Sequence, residues 1–188
     1  TDATISGGTL TQSGNEYPEG DRAVHDFGAN SVDADTWTMK YKWSPTTLTG
    51  GVIHYLAILS EKEITGAETG ANPNDYFTVT ELNGALILSA HYDSTYEQDA
   101  TSISVSTGND YWIKLVRNSQ SSITLNVYSD EYVTHLTNSP YTKSDVNANL
   151  TADLRYLMVG FLGGAIKSRV DSYDDMSMTI TSTGTSTI

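Results

Sequence analysis

Cysteine is absent from the 188 residues, which excludes a disulfide framework, a thiolate metal site and a Cys nucleophile. Stability has to come from sheet packing, with a hard cation such as Ca²⁺ as the remaining staple. Basic residues are scarce as well: 10 Lys and Arg stand against 23 Asp and Glu, a formal charge of -13. A surface of that sign repels phosphate backbones and anionic membranes, so nucleic acid is not an expected partner. The acid is spread along the chain and not gathered in a tail, which fits solubility or a salty habitat. No apolar stretch approaches the ~20 residues of a membrane helix and no basic, hydrophobic leader follows Thr1, so no membrane insertion is expected. A first residue of Thr points to a processed or excised product. The redox compartment stays open.

Helix-building runs of Ala, Leu, Glu and Lys are missing too, while Thr and Ser make up about a quarter of the chain, the bias of half-exposed strands. TWTMKYKW (36–43) alternates, placing Trp37, Met39, Tyr41 and Trp43 on a buried face and Thr38, Lys40 and Lys42 on the other. VIHYLAILS is a nearly continuous apolar run that suits a central strand covered on both sides. YFTVTEL (76–82) and ALILSAHY (85–92) form a hairpin across Asn83-Gly84, a dipeptide that accepts positive φ at both turn positions. YWIKLVR and SITLNVYS form a second, longer hairpin, and YLMVGFLGG and RVDSYDDMSMTI supply two further strands. EKEITGAETGANPND and DSTYEQD read as loops. Residues 129–153 read as a crossover with a helical turn near Lys143–Asn147. The expected architecture is all-β, an antiparallel sandwich or jelly roll of two stacked sheets in one domain over 1–180, with 181–188 as a low-complexity tail or linker.

YWIKLVR-x-SQSS-ITLNVYSD, LRYLMVGFLGG and RVDSYDDMSMTI together resemble the concanavalin A-like lectin/glucanase superfamily, including its laminin G-like members. The likeness covers the last 80 or so residues well and the first 110 in outline. It implies two antiparallel sheets, one concave, and carbohydrate binding on that concave side or in rim loops.

Glucanases of that superfamily carry their two carboxylates as Glu-x-Asp-x-Glu on one strand, and glycoside hydrolysis needs such a pair about 5 to 9.5 Å apart. This chain has no such string; Glu61-Lys62-Glu63 is the nearest approach and Glu81 stands alone, so the glucanase activity is not carried over. His25, His54, His91 and His135 match no ligand spacing, although His54 and His91 lie in strands that can be neighbours. Candidate Ca²⁺ ligands are Asp171, Asp174 and Asp175 before the last strand, Glu19 with Asp21 in the early segment, and the turn Asn72, Asn74 and Asp75; side chains capping their own turns are the competing explanation. A sugar ring's CH face stacks on aromatic rings while polar groups bond its hydroxyls. Tyr92, Asp93, Tyr96, Tyr128, Tyr132 and Arg155 are therefore the candidate carbohydrate contacts, and Trp37, Trp43 and Trp112 are assigned to the core. Asn149-Leu150-Thr151 is the only glycosylation sequon.

Three functions follow. The first is a non-catalytic, extracellular or cell-surface module that binds a polysaccharide or glycan, with structural Ca²⁺ as its only expected cofactor. The second is a structural subunit of a filament, sheath or viral appendage, self-associating when the terminal segments ISGGTLTQSG and MSMTITSTGTSTI complete a neighbour's sheet. The third is a polysaccharide hydrolase or lyase that assembles His91 or Tyr92 with Arg117 or Arg155.

Overall fold

Strand pairing dominates the computed structural model, which describes residues 3–6, 9–14, 23–28, 36–46, 48, 53–60, 76–92, 95–98, 100–119, 121–144, 154–163 and 169–180. Sheet A has the order β1 (Ala3–Ser6), β2 (Thr9–Gly14), β14 (Arg169–Ile180), β4 (Trp37–Pro45), β10 (Tyr111–Ser119), β11 (Ser122–Tyr128), β12 (Tyr141–Ser144). Sheet B has the order β3 (Ala23–Asp26), β13 (Tyr156–Gly163), β5 (Ile53–Ser60), β6 (Tyr76–Leu82), β7 (Ala85–Tyr92), β8 (Thr95–Gln98), with the short β9 (Ile103–Ser104) also on β7. Every pairing is antiparallel. Among the described residues there is no helix.

The core sits between the sheets and follows the period of two. From β4 come Trp37, Met39, Tyr41 and Trp43, from β10 Tyr111, Ile113 and Leu115, and from β11 Ile123, Leu125 and Val127. Sheet B answers with Leu59, Phe77, Val79, Leu88, Leu157 and Val159. Each such side chain contributes about 1.5–3 kcal/mol of transfer free energy. As its apolar run implies, β5 is buried on both faces: Leu59 packs in the main core, while Tyr55 and Ile58 join Tyr76 and Met158 in a second cluster on the outer face of sheet B. The β6–β7 hairpin turns at Asn83 and Gly84, with φ of 54° and 76°. A side chain at Gly84 would also meet the Val105 carbonyl at 3.3 Å.

Several elements differ from their sequence expectation. Thr95–Gln98, inside a segment expected to be a loop, is β8, because the edge of β7 pairs it from Ser89 to Tyr92. Tyr141–Ser144 pairs with β11 as β12, so Lys143 lies in a strand and not in a helical turn; residues 145–150 lie outside the described set. The N-terminal ISGGTLTQSG is not a loose arm, since β1 and β2 form a hairpin that pairs with β14 of the same chain. The tail 181–188 is outside the described residues.

A buried polar chain fastens the two sheets. Asp171 of β14, fully buried, accepts a hydrogen bond from the Trp43 indole Nε1 at 3.0 Å. The same carboxylate oxygen lies 3.4 Å from Nδ1 of His54, which reaches in from β5. The Nε2 of His54 is 3.2 Å from the Tyr173 hydroxyl. A buried carboxylate stays tolerable only while such partners replace its water. Replacing Asp171 by Ala is expected to lower stability by about 3 kcal/mol, and Tyr173→Phe by about 1 kcal/mol. Urea unfolding of both variants checks this, with equal midpoints to the parent as the contrary result.

Candidate functional site

The outward faces of the two sheets are different environments. On sheet B the outward rows are Tyr156, Ser60 and Tyr76, then Met158, Ile58, Thr78, Ser89 and Gln98. Ser60, Thr78 and Ser89 are fully buried and Ile58, Tyr76 and Met158 nearly so. The centre of this face is therefore closed to solvent.

Sheet A presents an open face. Because Tyr111, Ile113, Leu115 and Arg117 turn inward, Trp112, Lys114 and Val116 must turn outward, and β10 alternates buried with half-buried accordingly. Trp112 is thus not a core residue, contrary to its apolar context in the sequence. Cross-strand register aligns Asp174, Lys42, Trp112 and Tyr128 in one row, Ser177, Lys40, Lys114 and Asn126 in the next, and Thr179, Thr38, Val116, Thr124 and Thr142 in a third. The Lys42 Nζ sits 5.4 Å from the Trp112 ring centre and 2.7 Å from Asp110. That ammonium holds the Asp110 carboxyl below its ordinary range, helped by the Ser44 hydroxyl.

A loop after β11 roofs one end of this face. Asp130 accepts from the Thr134 hydroxyl at 2.7 Å and from its backbone N–H at 2.6 Å, and these bonds keep its carboxyl below the usual range. They hold a tight turn in which Tyr132 takes φ 60°, an uncommon conformation for a bulky residue that marks a place where the surroundings dictate the backbone. Tyr132 meets Tyr128 edge to face at 5.6 Å, Tyr128 stacks on His135 at 4.3 Å, and the Lys40 ammonium lies 5.0 Å from the Tyr132 ring centre. Burial, and then the neighbouring charges of Asp175 and Glu131, push the Tyr132 hydroxyl up to about 12. At the tip Val133 is 77% exposed, an apolar side chain offered outward beside the aromatic cluster. Below the loop, Asn109, Asp110, Tyr111, Trp112, Ser129 and Leu136 line a cavity of about 470 Å³.

The residues singled out from the sequence scatter over three places. Tyr128 and Tyr132 come together on the open face, joined by Asp174 and Asp175 from a β-bulge in which two residues, Asp175 and Met176, oppose Tyr41 alone. Asp171 does not stand with them, because its inward parity commits it to Trp43 and His54 in the core. Among the described residues no group of three or more Asp, Glu and His is arranged to hold a cation. Glu19, Asp21, Asn72, Asn74, Asp75, Asp93, the Glu61–Glu63 pair and Asn149 lie outside the described residues. Tyr92 of β7 and Tyr96 of β8 belong to paired strands at one edge of sheet B, whereas Tyr128 belongs to β11 of sheet A. Arg155 is at the opposite edge, in a two-pronged pair with Asp26 at 2.7 Å for each contact.

His54 is committed to Asp171 and Tyr173 in the core, and β6 separates its strand from β7, which carries His91. Arg117 is likewise inward, buried at 1% exposure over the Phe77 ring. The sequence reading missed Trp112 and Lys114 as surface residues, although YWIKLVR contains the signal: once Tyr111, Ile113 and Leu115 are inward, Trp112 and Lys114 have no other place.

No protein-family model matches the chain, and no curated protein matches it in sequence. Solved structures do match in fold. The botulinum neurotoxin serotype G binding domain superposes with a TM-score of 0.63 at 8% identity, over 95% of this chain and 41% of that one. Alginate lyase A1-II′ of polysaccharide lyase family 7 gives 0.59 at 12% identity, over 94% and 81%. This chain has the concanavalin A-like jelly-roll fold. The CBM2 module of the evolved Dit of Lactobacillus casei BL23 phage J-1 shares it, at 0.58 and 7% identity over 95% and 78%. Identities this low establish the fold alone.

The Asp26–Arg155 pair ties β3 to the start of β13 and has a definite pH signature. The Arg155 side chain, then the Gly28 N–H, depress the Asp26 carboxyl to about 2. A carboxylate depressed in the folded state stabilises above its unfolded pKa of about 3.9. That contribution is lost as pH falls from there through about 2. Asp26→Asn is expected to flatten this part of the acid-unfolding profile, measured by tryptophan fluorescence against pH; an unchanged profile would contradict it.

Proposed function

We propose that the chain is a non-catalytic carbohydrate-binding module that works outside the cell or at its surface and uses the open face of sheet A. The observation that carries this reading is the half-buried Trp112, which sits in an outward row next to the buried Tyr128 and its neighbour Tyr132, on a sheet whose other outward positions are mostly hydroxyls, amides and ammonium groups. That is the mixture a sugar demands, with flat rings for CH faces and short polar groups for hydroxyls. Two fold neighbours lend support by what they are: a carbohydrate-binding module of a phage protein, and an alginate lyase, a variant of which has been solved with its product bound. The non-catalytic reading is supported by the commitment of Glu81, His54 and Asp171 to the interior and of Arg117 to the core.

Affinity electrophoresis through gels containing a range of charged and neutral polysaccharides, with and without Ca²⁺, tests the reading. Retardation is expected in at least one gel. Trp112→Ala, which removes a surface ring and leaves the core intact, is expected to weaken that binding by roughly tenfold or more. Migration unaffected by every polysaccharide would overturn the proposal.

A further inference from the structure

The middle row of the open face carries an arrangement that costs the fold stability. Lys40 and Lys114 are directly opposite one another across the β4–β10 ladder. Like charges in that position repel. Among the described residues neither ammonium has a carboxylate partner, whereas Lys42 is matched by Asp110, Lys143 by Glu97 and Arg155 by Asp26. The chain has 23 acidic residues and only six lysines, so an unmatched lysine pair is against its own charge balance. The acids near this face, Asp110, Asp130, Glu131, Asp174 and Asp175, belong to the Trp112 row, the bulge and the loop; the row Ser177, Lys40, Lys114, Asn126 and the threonine row beside it contain none.

We infer that this row is the seat of an acidic polysaccharide, one whose carboxylate or sulfate groups settle between Lys40 and Lys114 while its rings lie toward Trp112 and its hydroxyls toward Thr38 and Thr124. The inference rests on the carbohydrate-binding reading above and specifies its ligand. Lysine supplies a compact point charge, suited to an anion whose orientation is fixed by other contacts. The row crosses four strands, three spacings of about 4.8 Å or about 14 Å in all, which is the run of an oligosaccharide and not of a single ring. An acidic protein is the poorer occupant, because a stable protein interface needs a desolvated apolar centre and the lysine and threonine rows offer only Val116.

Binding of a polyuronate, a neutral glucan and polyglutamate of similar length, measured by isothermal titration calorimetry at low and high salt, tests this. The polyuronate is expected to bind, to weaken with salt, and to lose about tenfold in affinity in each of Lys40→Gln and Lys114→Gln. Lys114→Arg, which keeps the charge, should retain most of it. Neither glutamine variant should lower the urea midpoint, since each relieves a repulsion; a fall in both midpoints would make the lysines structural and overturn the inference. Equal binding of the neutral glucan, insensitive to the lysine variants, would overturn the acidic ligand and leave carbohydrate binding standing. Polyglutamate binding as tightly as polyuronate and indifferent to Trp112→Ala would show attraction by charge alone and overturn the inference, and no binding to any glycan would remove both proposals.

Discussion

A carboxylate taken out of water has to find its donors inside the protein, and Asp171 finds them on two strands that the chain reaches more than a hundred residues earlier. Its oxygen is shared between the Trp43 indole of β4 and the neighbourhood of the His54 ring of β5, and His54 continues the chain of contacts to Tyr173. The rest of the core between the sheets is mainly apolar, and apolar contacts are non-directional and tolerate sliding. This polar chain accepts one alignment. It therefore sets how β14 sits against β4, and through β14 the position of the bulge that delivers Asp175 to the open face.

Much of the fold was legible because the central strands obey a strict period. TWTMKYKW, the Asn83-Gly84 hairpin and the YWIKLVR hairpin declare their pairing through alternation and turn chemistry, which act over a few residues. The edge strands were not legible. Thr95–Gln98 and Tyr141–Ser144 are short and largely polar, and they become strands because a longer neighbour offers them unpaired backbone groups, a circumstance no local pattern records. The same limit applied to the site. Tyr128 and Tyr132 were found by residue type, but Trp112 was assigned by its apolar neighbours when parity should have decided, and Asp171 was grouped with Asp174 and Asp175 by nearness in sequence although it faces the other way.

The two outward faces divide labour. The centre of sheet B is covered, so Tyr76, Ile58 and Met158 act as a second core layer. Sheet A keeps the β4 and β10 part of its outward face in contact with solvent, while the end at Tyr128 and Asn126 is buried beside the loop that Asp130 organises. At the edge where β12 approaches β8, Lys143 reaches Glu97 at 3.3 Å and fastens one sheet to the other.

The parity of β4 and β10 has a further consequence for how such a chain can change over generations. Inward and outward positions alternate on the same strands, so the residues that hold the sandwich and those that meet the outside world are interleaved in sequence yet separated in space. Substitutions at 38, 40, 114 and 116 can drift or be re-engineered while Met39, Tyr41, Ile113 and Leu115 stay fixed, which makes the strand pair a ready scaffold for acquiring new specificities without refounding its interior.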